Sequence, residues 1–291
     1  MSLVLTAGLI AVVFVVTACS LAALCWICVD RERLSWLRDD RVLVRNRVRA
    51  AAPFIAVLGG ILLINKGLQS HIVAFSYAYG TEPTALFYAI EGDVVAGVQG
   101  VFPGWATVYF SSMYVFGYAV LLTFPLIAYL FASSTRPLET LVAAYAINYG
   151  VAIVAYGLVR AEGPRAFHAR SDSAEPVSHG LVELFPEIVY LTSLVNSQTN
   201  VFPSLHTSLS VTVLAIAVLT HAEFPRWTPI AFVLSASIVI ATMALGIHWL
   251  IDVLAGIGLA AASVAGARRV VGHGESPPPE PAVRARASET D

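Results

Sequence analysis

Seven long apolar runs, at approximately 3–29, 52–68, 106–132, 138–159, 203–220, 228–245 and 247–267, leave this 291-residue chain few folds to choose from. Each approaches the roughly 20 residues a helix needs to cross the hydrocarbon of a bilayer. Inside lipid the chain must satisfy its own backbone polar groups, so spanning segments are helices or closed barrels, and runs of this length read as helices. Composition agrees. The chain is 57% hydrophobic and only 12% charged, where soluble domains carry roughly a quarter charged residues. A net charge of -2 with no basic stripe offers nucleic acid nothing to bind. The expected fold class is all-α, a polytopic integral membrane helix bundle of about seven transmembrane helices.

The first run lacks a basic leader and is too long for a signal-peptide core, although Val16-Thr17-Ala18-Cys19 loosely resembles a lipoprotein cleavage box. It reads as a retained anchor. Cys19, Cys25 and Cys28 all fall within this run and read as small apolar fillers. The chain divides into an anchor with a basic loop (1–50), a membrane-embedded bundle (51–267, with its motifs in 160–256) and a polar tail (268–291) too poor in apolar residues to fold. Placing the N-terminus outside puts Arg31, Arg33, Arg38, Arg41, Arg45, Arg47, Arg49, Arg136, Arg226, Arg268, Arg269, Arg284 and Arg286 on the inner side. That leaves Lys66, Arg160, Arg165 and Arg170 outside. The positive-inside bias therefore predicts a multi-pass cell-membrane protein with its N-terminus outside and its C-terminus cytoplasmic. Two outer segments are more than connectors. Residues 69–105 hold a helix start at Thr81-Glu82-Pro83 and an apolar stretch broken by Glu91 and Asp93, suited to the interface or to packing on the bundle. Residues 160–200 are richer in charge, Pro and Ser.

Three polar clusters fall at the outer edge in this topology: Gly163-Pro164-Arg165, Phe202-Pro203-Ser204-Leu205-His206-Thr207, and Gly246-Ile247-His248-Trp249-Leu250-Ile251-Asp252. His248 and Asp252 are four apart, so on a helix they share a face. A carboxylate there fixes the imidazole tautomer and leaves the other nitrogen as nucleophile. The alternatives are a His–Asp bond that merely ties two helices, or a metal pair. The second lacks a third and fourth ligand at suitable spacing, so no metal is expected. Pro203 suits a first helical turn. Ser204, His206 and Thr207 then lie among unpaired N–H groups, a ready anion site, where a protonated His206 can donate to the leaving oxygen of a phosphate ester. Arg165 offers a fork of donors for phosphate, with Arg160 as a helper or an interface anchor. Lys66 reads as an exposed helix-end lysine, and His168 and His179 as solvated.

The Pro203-Ser204-Leu205-His206 and His248-xxx-Asp252 pair resembles the second and third motifs of the type 2 phosphatidic acid phosphatase superfamily, over about residues 138–267. The resemblance implies a six-helix core and a metal-independent, cofactor-free reaction. It makes His248 the nucleophile that becomes phosphohistidine, His206 the acid and Asp252 the residue that orients the nucleophile. Leu205 replaces the motif glycine, Ala241 and Thr242 stand where Ser-Arg is usual, and the first motif is represented only by Gly163-Pro164-Arg165. In these departures the wording is similar to the inositol phosphorylceramide synthase branch, whose members transfer head groups. Two enzymatic readings follow: hydrolysis of a lipid phosphate in the bilayer, with water as the default acceptor, or transfer to a lipid or polyol hydroxyl. A transporter or scaffold would place its polar groups near the bilayer midplane, whereas these lie at helix ends. Oligomeric state leaves no signal in the sequence.

Overall fold

The computed structural model describes residues 3–30, 41–170 and 201–273. The elements are α1 (Leu3–Cys28), α2 (Arg41–Tyr79), α3 (Thr84–Glu91) and α4 (Val94–Val101). Next, α5 (Ala106–Ser112) runs through a π-helical turn (Met113–Gly117) into α6 (Tyr118–Ala128). The rest are α7 (Arg136–Leu158), α8 (Pro164–His168), α9 (Leu205–Leu219), α10 (Trp227–Ala244) and α11 (Leu250–His273). Among the described residues there is no β-sheet, only one parallel bridge between Thr81 and Val159. Among the described residues six spans are long and apolar enough to cross a membrane, the α5–α6 stretch counting as one of them. The remaining apolar run, 203–220, forms α9, with 15 residues. The fold is thus an all-α polytopic membrane bundle.

The short helix is the central one. α9 packs against α6, α7, α10 and α11, and it buries polar residues as well as Leu209, Val213 and Ile216. Such groups are costly in a dry interior unless they find partners. Asn148 of α7 supplies several. Its amide donates to Thr212 Oγ1 at 3.1 Å and to Ala144 O at 2.8 Å, and its Oδ1 accepts from the Ser208 hydroxyl. α1 and α2 lie at the periphery, packed on α6 and α7 respectively. Their outer faces are apolar and uncovered, Phe14 being 72% and Leu63 75% exposed, as lipid-facing surfaces are.

Arg47, Arg136 and Arg226 gather at one end of the bundle. There Arg226 donates to Ile27 O at 3.1 Å, Arg47 donates to Ser134 O at 2.7 Å, and the Glu223 carboxylate accepts from the Ser133 N–H. At the opposite end the chain after α2 is laced to the chain after α7: Thr81 N–H donates to Leu158 O and Arg160 N–H to Thr81 O, each at 2.8 Å. The three polar clusters lie at this second end.

Several expectations change. The boundary placed at residue 50 falls inside α2, which runs unbroken through the arginine-rich stretch because Arg is a good helix former. At 39 residues α2 is about 58 Å long, well beyond the hydrocarbon thickness. Lys66 is exposed, but mid-helix rather than at a helix end. α11 likewise continues past 267 to His273. The apolar stretch after Thr81 forms two eight-residue helices, too short to cross. Arg31, Arg33, Arg38, His179 and the tail from 274 lie outside the described residues.

Replacing Asn148 by Leu removes the partner of Ser208 and Thr212. The expected loss is about 0.5–2 kcal/mol of stability, read as a lower midpoint of thermal unfolding in detergent. An unchanged midpoint would mean the network is not a stabilising element.

Candidate active site

The third cluster is built by a helix stop and a helix start. α10 ends at Ala244 with Leu245 as its C-cap, and Gly246 follows with φ +64°. Gly246 N–H donates to Met243 O at 2.8 Å and Ile247 N–H to Thr242 O at 3.0 Å, the paired bonds of a Schellman stop. His248 N–H also donates to Thr242 O, at 3.0 Å. His248 therefore sits in the turn, not on the helix face anticipated from its spacing. The glycine stop ends α10, and α11 begins only at Leu250.

The two side chains still meet. His248 Nδ1 lies 3.6 Å from Asp252 Oδ2, within ion-pair range but beyond a hydrogen bond. His248 is 4% exposed and Asp252 fully buried. Asp252 Oδ2 accepts from Trp249 N–H at 2.8 Å, the side-chain-to-cap half of a capping box. Among the described residues, His248 Nδ1 and Asp252 Oδ1 are buried without a hydrogen-bond partner.

The second cluster starts α9. Ser204 is the N-cap, its Oγ accepting from Thr207 N–H at 3.3 Å. Pro203 thus precedes the cap instead of occupying the first helical position. Ser204 N–H donates to Asp252 O at 3.1 Å, which ties the two clusters directly. Their backbones approach so closely that a Cβ on Gly256 would lie 2.6 Å from Ser204 O. The N–H groups of Leu205 and His206 have no partner within the helix. Thr207 is buried with Oγ1 unpaired among the described residues.

The His206 ring lies between Tyr114 and Tyr118, both centroids 4.2 Å away. Tyr114 OH is 3.3 Å from His206 Nδ1. These tyrosines went unread in the sequence. Their cue is an i, i+4 aromatic pair, and the π-helical turn that contains Tyr114 is a feature frequent at functional sites. The Ser204 N–H to Asp252 O bond sets the helix start that carries His206 against the His248–Asp252 segment.

The first cluster closes the site from the side. Arg165 N–H donates to Gly246 O at 3.0 Å, and Gly163 abuts Ile247 O so closely that no side chain fits. Arg165 Nη1 is buried without a partner among the described residues. Burial pushes its guanidinium pKa below the ordinary value, an effect Tyr114 partly opposes. Arg160 lies elsewhere, its guanidinium 4.4 Å over the Tyr77 ring. With Glu82, Thr84, Glu162, Phe167 and Arg170 it lines a cavity of about 340 Å³. His168, expected to be solvated, is buried beside the rings of Tyr88, Phe167 and Trp249.

The arrangement thus collects two imidazoles, a carboxylate, a guanidinium and a helix N-terminus, the parts phosphoryl chemistry requires. The chain belongs to the PAP2 superfamily, whose family model matches residues 83–266. That match begins at α3, well before the motif-bearing half in which the resemblance was legible. Membership assigns a phosphatase-type activity. No curated protein matches the chain. No solved structure matches it either.

Gly246→Ala should cost about 1–2 kcal/mol, because the left-handed backbone is strained for a residue with Cβ, and should lower activity by displacing His248. Gly97→Ala in α4, with open space around it, should leave both unchanged or slightly raise stability. Thermal unfolding and turnover of the two variants decide this; equal behaviour would remove the role given to the Gly246 stop.

Proposed function

We propose that this membrane protein is a lipid phosphatase working through phosphohistidine, with His248 as nucleophile, His206 as acid and base, and Asp252 as the orienting carboxylate. The observation that carries this reading is that the Arg165 segment and the His206 helix start are both bonded to the His248–Asp252 segment, through Arg165 N–H to Gly246 O at 3.0 Å and Ser204 N–H to Asp252 O at 3.1 Å. With His248 Nδ1 turned to Asp252, Nε2 is left to attack phosphorus. The Nε2–P bond forms as the ester P–O bond breaks, and protonated His206 gives its proton to the departing alkoxide. The phenol of Tyr114 takes the Nδ1–H of that imidazolium, so its Nε2–H points at the leaving oxygen. Water then attacks phosphorus, the N–P bond breaks, and the proton lost by water returns to His206. Arg165, Thr207 and the first-turn N–H groups of α9 hold the phosphate oxygens, while Ser204 acts as the cap that aims those N–H groups. No metal or cofactor takes part. Arg47, Arg136 and Arg226 lie at the end opposite the site, which supports a site on the outer face of the cell membrane, with the N-terminus outside and the C-terminus inside.

A second reading keeps the first step and replaces water by a lipid or polyol hydroxyl. The cavity beside Arg160 favours it, since Glu82, Glu162, Arg160 and Arg170 alternate charge as a polyhydroxylated head group prefers. Trp249 Nε1–H donates to Glu162 O at 2.8 Å, linking that cavity to the His248 turn. Arg160 then binds the acceptor rather than the reacting phosphate.

Purified protein given a panel of ³²P-labelled lipid phosphates in EDTA should release free phosphate, and His248→Ala should abolish both release and acid-labile labelling. Label appearing on another lipid or polyol would select transfer instead. His206→Ala should lose about 10²–10⁴-fold on alkyl esters yet retain far more activity on p-nitrophenyl phosphate, whose leaving group needs no proton. An equal loss on both substrates would remove His206 as the acid. Tyr114→Phe should reduce alkyl-ester turnover more than p-nitrophenyl turnover, following His206.

A further inference from the structure

The outer helix pair α3–α4 reaches both sides of the turn that carries His248. The Glu91 carboxylate, at the end of α3, accepts from Leu250 N–H at 2.8 Å and from Ile251 N–H. These are the first two helical N–H groups of α11. On the other side of the turn, Gln99 of α4 donates its amide to Ala244 O at 3.0 Å, the last helical residue of α10. Between the two grips the chain reverses at Gly92, whose φ is +57°. Two polar side chains eight positions apart therefore cap two different helices across one turn.

Neither contact is incidental. A helix N-terminus leaves N–H groups unpaired and attracts a negative charge, and Glu91 is half-buried, away from competing water. Burial raises its carboxyl pKa, while the two backbone N–H groups hold it down. Asp252 already takes Trp249 N–H, so with Glu91 in place the N–H groups of residues 249, 250 and 251 all end on carboxylates. Those three donors are therefore taken and do not serve a substrate phosphate, unlike the first-turn N–H groups of Leu205 and His206 in α9. The two carboxylates serve to hold the chain on either side of His248.

We infer that α3–α4 is a two-point clamp on the His248 turn and that Glu91 is a positioning residue for the nucleophile. The inference rests on the phosphohistidine reading for its kinetic consequence but not for the clamp itself. Without Glu91 the first turn of α11 loosens, and the 3.6 Å approach of His248 to Asp252 is no longer enforced. A displacement of about 1 Å in a reacting group is worth on the order of 10²-fold in rate.

The test compares wild type, Glu91→Ala, Glu91→Gln and Gln99→Ala as full-length protein in detergent, by hydrogen exchange of residues 249–256 and by steady-state kinetics. Glu91→Ala should raise exchange across 249–256 and lower kcat by about 100-fold, with KM within about threefold. Glu91→Gln, which keeps a carbonyl acceptor, should recover most of both, and Gln99→Ala should show a smaller loss of the same kind. Unchanged exchange in Glu91→Ala overturns the clamp whatever the activity. Raised exchange with unchanged kcat, or a loss confined to KM, overturns the positioning role. A wild-type protein inactive on every lipid phosphate would sink the phosphohistidine reading alone, the exchange measurement still deciding the clamp.

Discussion

In lipid a backbone N–H or C=O has no water to fall back on, and every one must be satisfied by protein. That constraint shapes this chain more than any single contact. Along the spans it forces helix, which closes its own hydrogen bonds and leaves nothing for chemistry. Only at helix ends do unpaired groups become available. The polar residues that matter accordingly sit where α9 starts, where α10 stops and where α11 begins. Ser204 caps the first, Gly246 terminates the second, and Glu91 and Asp252 cap the third. The same need for capping that stabilises each terminus delivers His206, His248 and Arg165 to one place.

The buried polar residues of α9 illustrate how such a centre is tolerated. A helix at the middle of a bundle carries buried Ser208 and Thr212 at lower cost where neighbours supply partners. Asn148 serves Ser208 and Thr212, and the Ser210 carbonyl accepts from Ser235 at 2.9 Å. These bonds sit directly below the N-terminus that points at the site. They fix the rotation of α9 about its axis, and so the direction in which His206 leaves it.

Much of this was legible in the sequence, and the reason is thermodynamic. The apolar runs report the transfer of side chains into lipid, a property of each residue, and they located the spans and the three polar clusters. The misreadings share a different cause. His248 looked helical because spacing cannot reveal a left-handed glycine two residues earlier. Pro203 looked like a first helical residue because the cap at Ser204 is settled by a hydrogen bond that forms only in the fold. His168 looked solvated because its aromatic neighbours Tyr88 and Trp249 are distant in the chain. Glu91, Gln99 and Tyr114 escaped notice for the same reason. Each acts on a residue more than 90 positions away, through geometry that no local window contains.

The shortness of α9 has a thermodynamic corollary for supply. Fifteen residues give a rise of about 22 Å, against roughly 30 Å of hydrocarbon. Its far end is level with the arginine-rich loops, where Tyr129 OH bonds Thr220 Oγ1 at 3.0 Å and Glu223 meets Ser133. A helix that short, with its far end at one boundary, stops several ångströms short of the other. On the proposed reading, a centre at that end draws on a two-dimensional solution. For a lipid substrate the governing concentration is mole fraction within one leaflet, and inert lipid dilutes the reaction where added water does not.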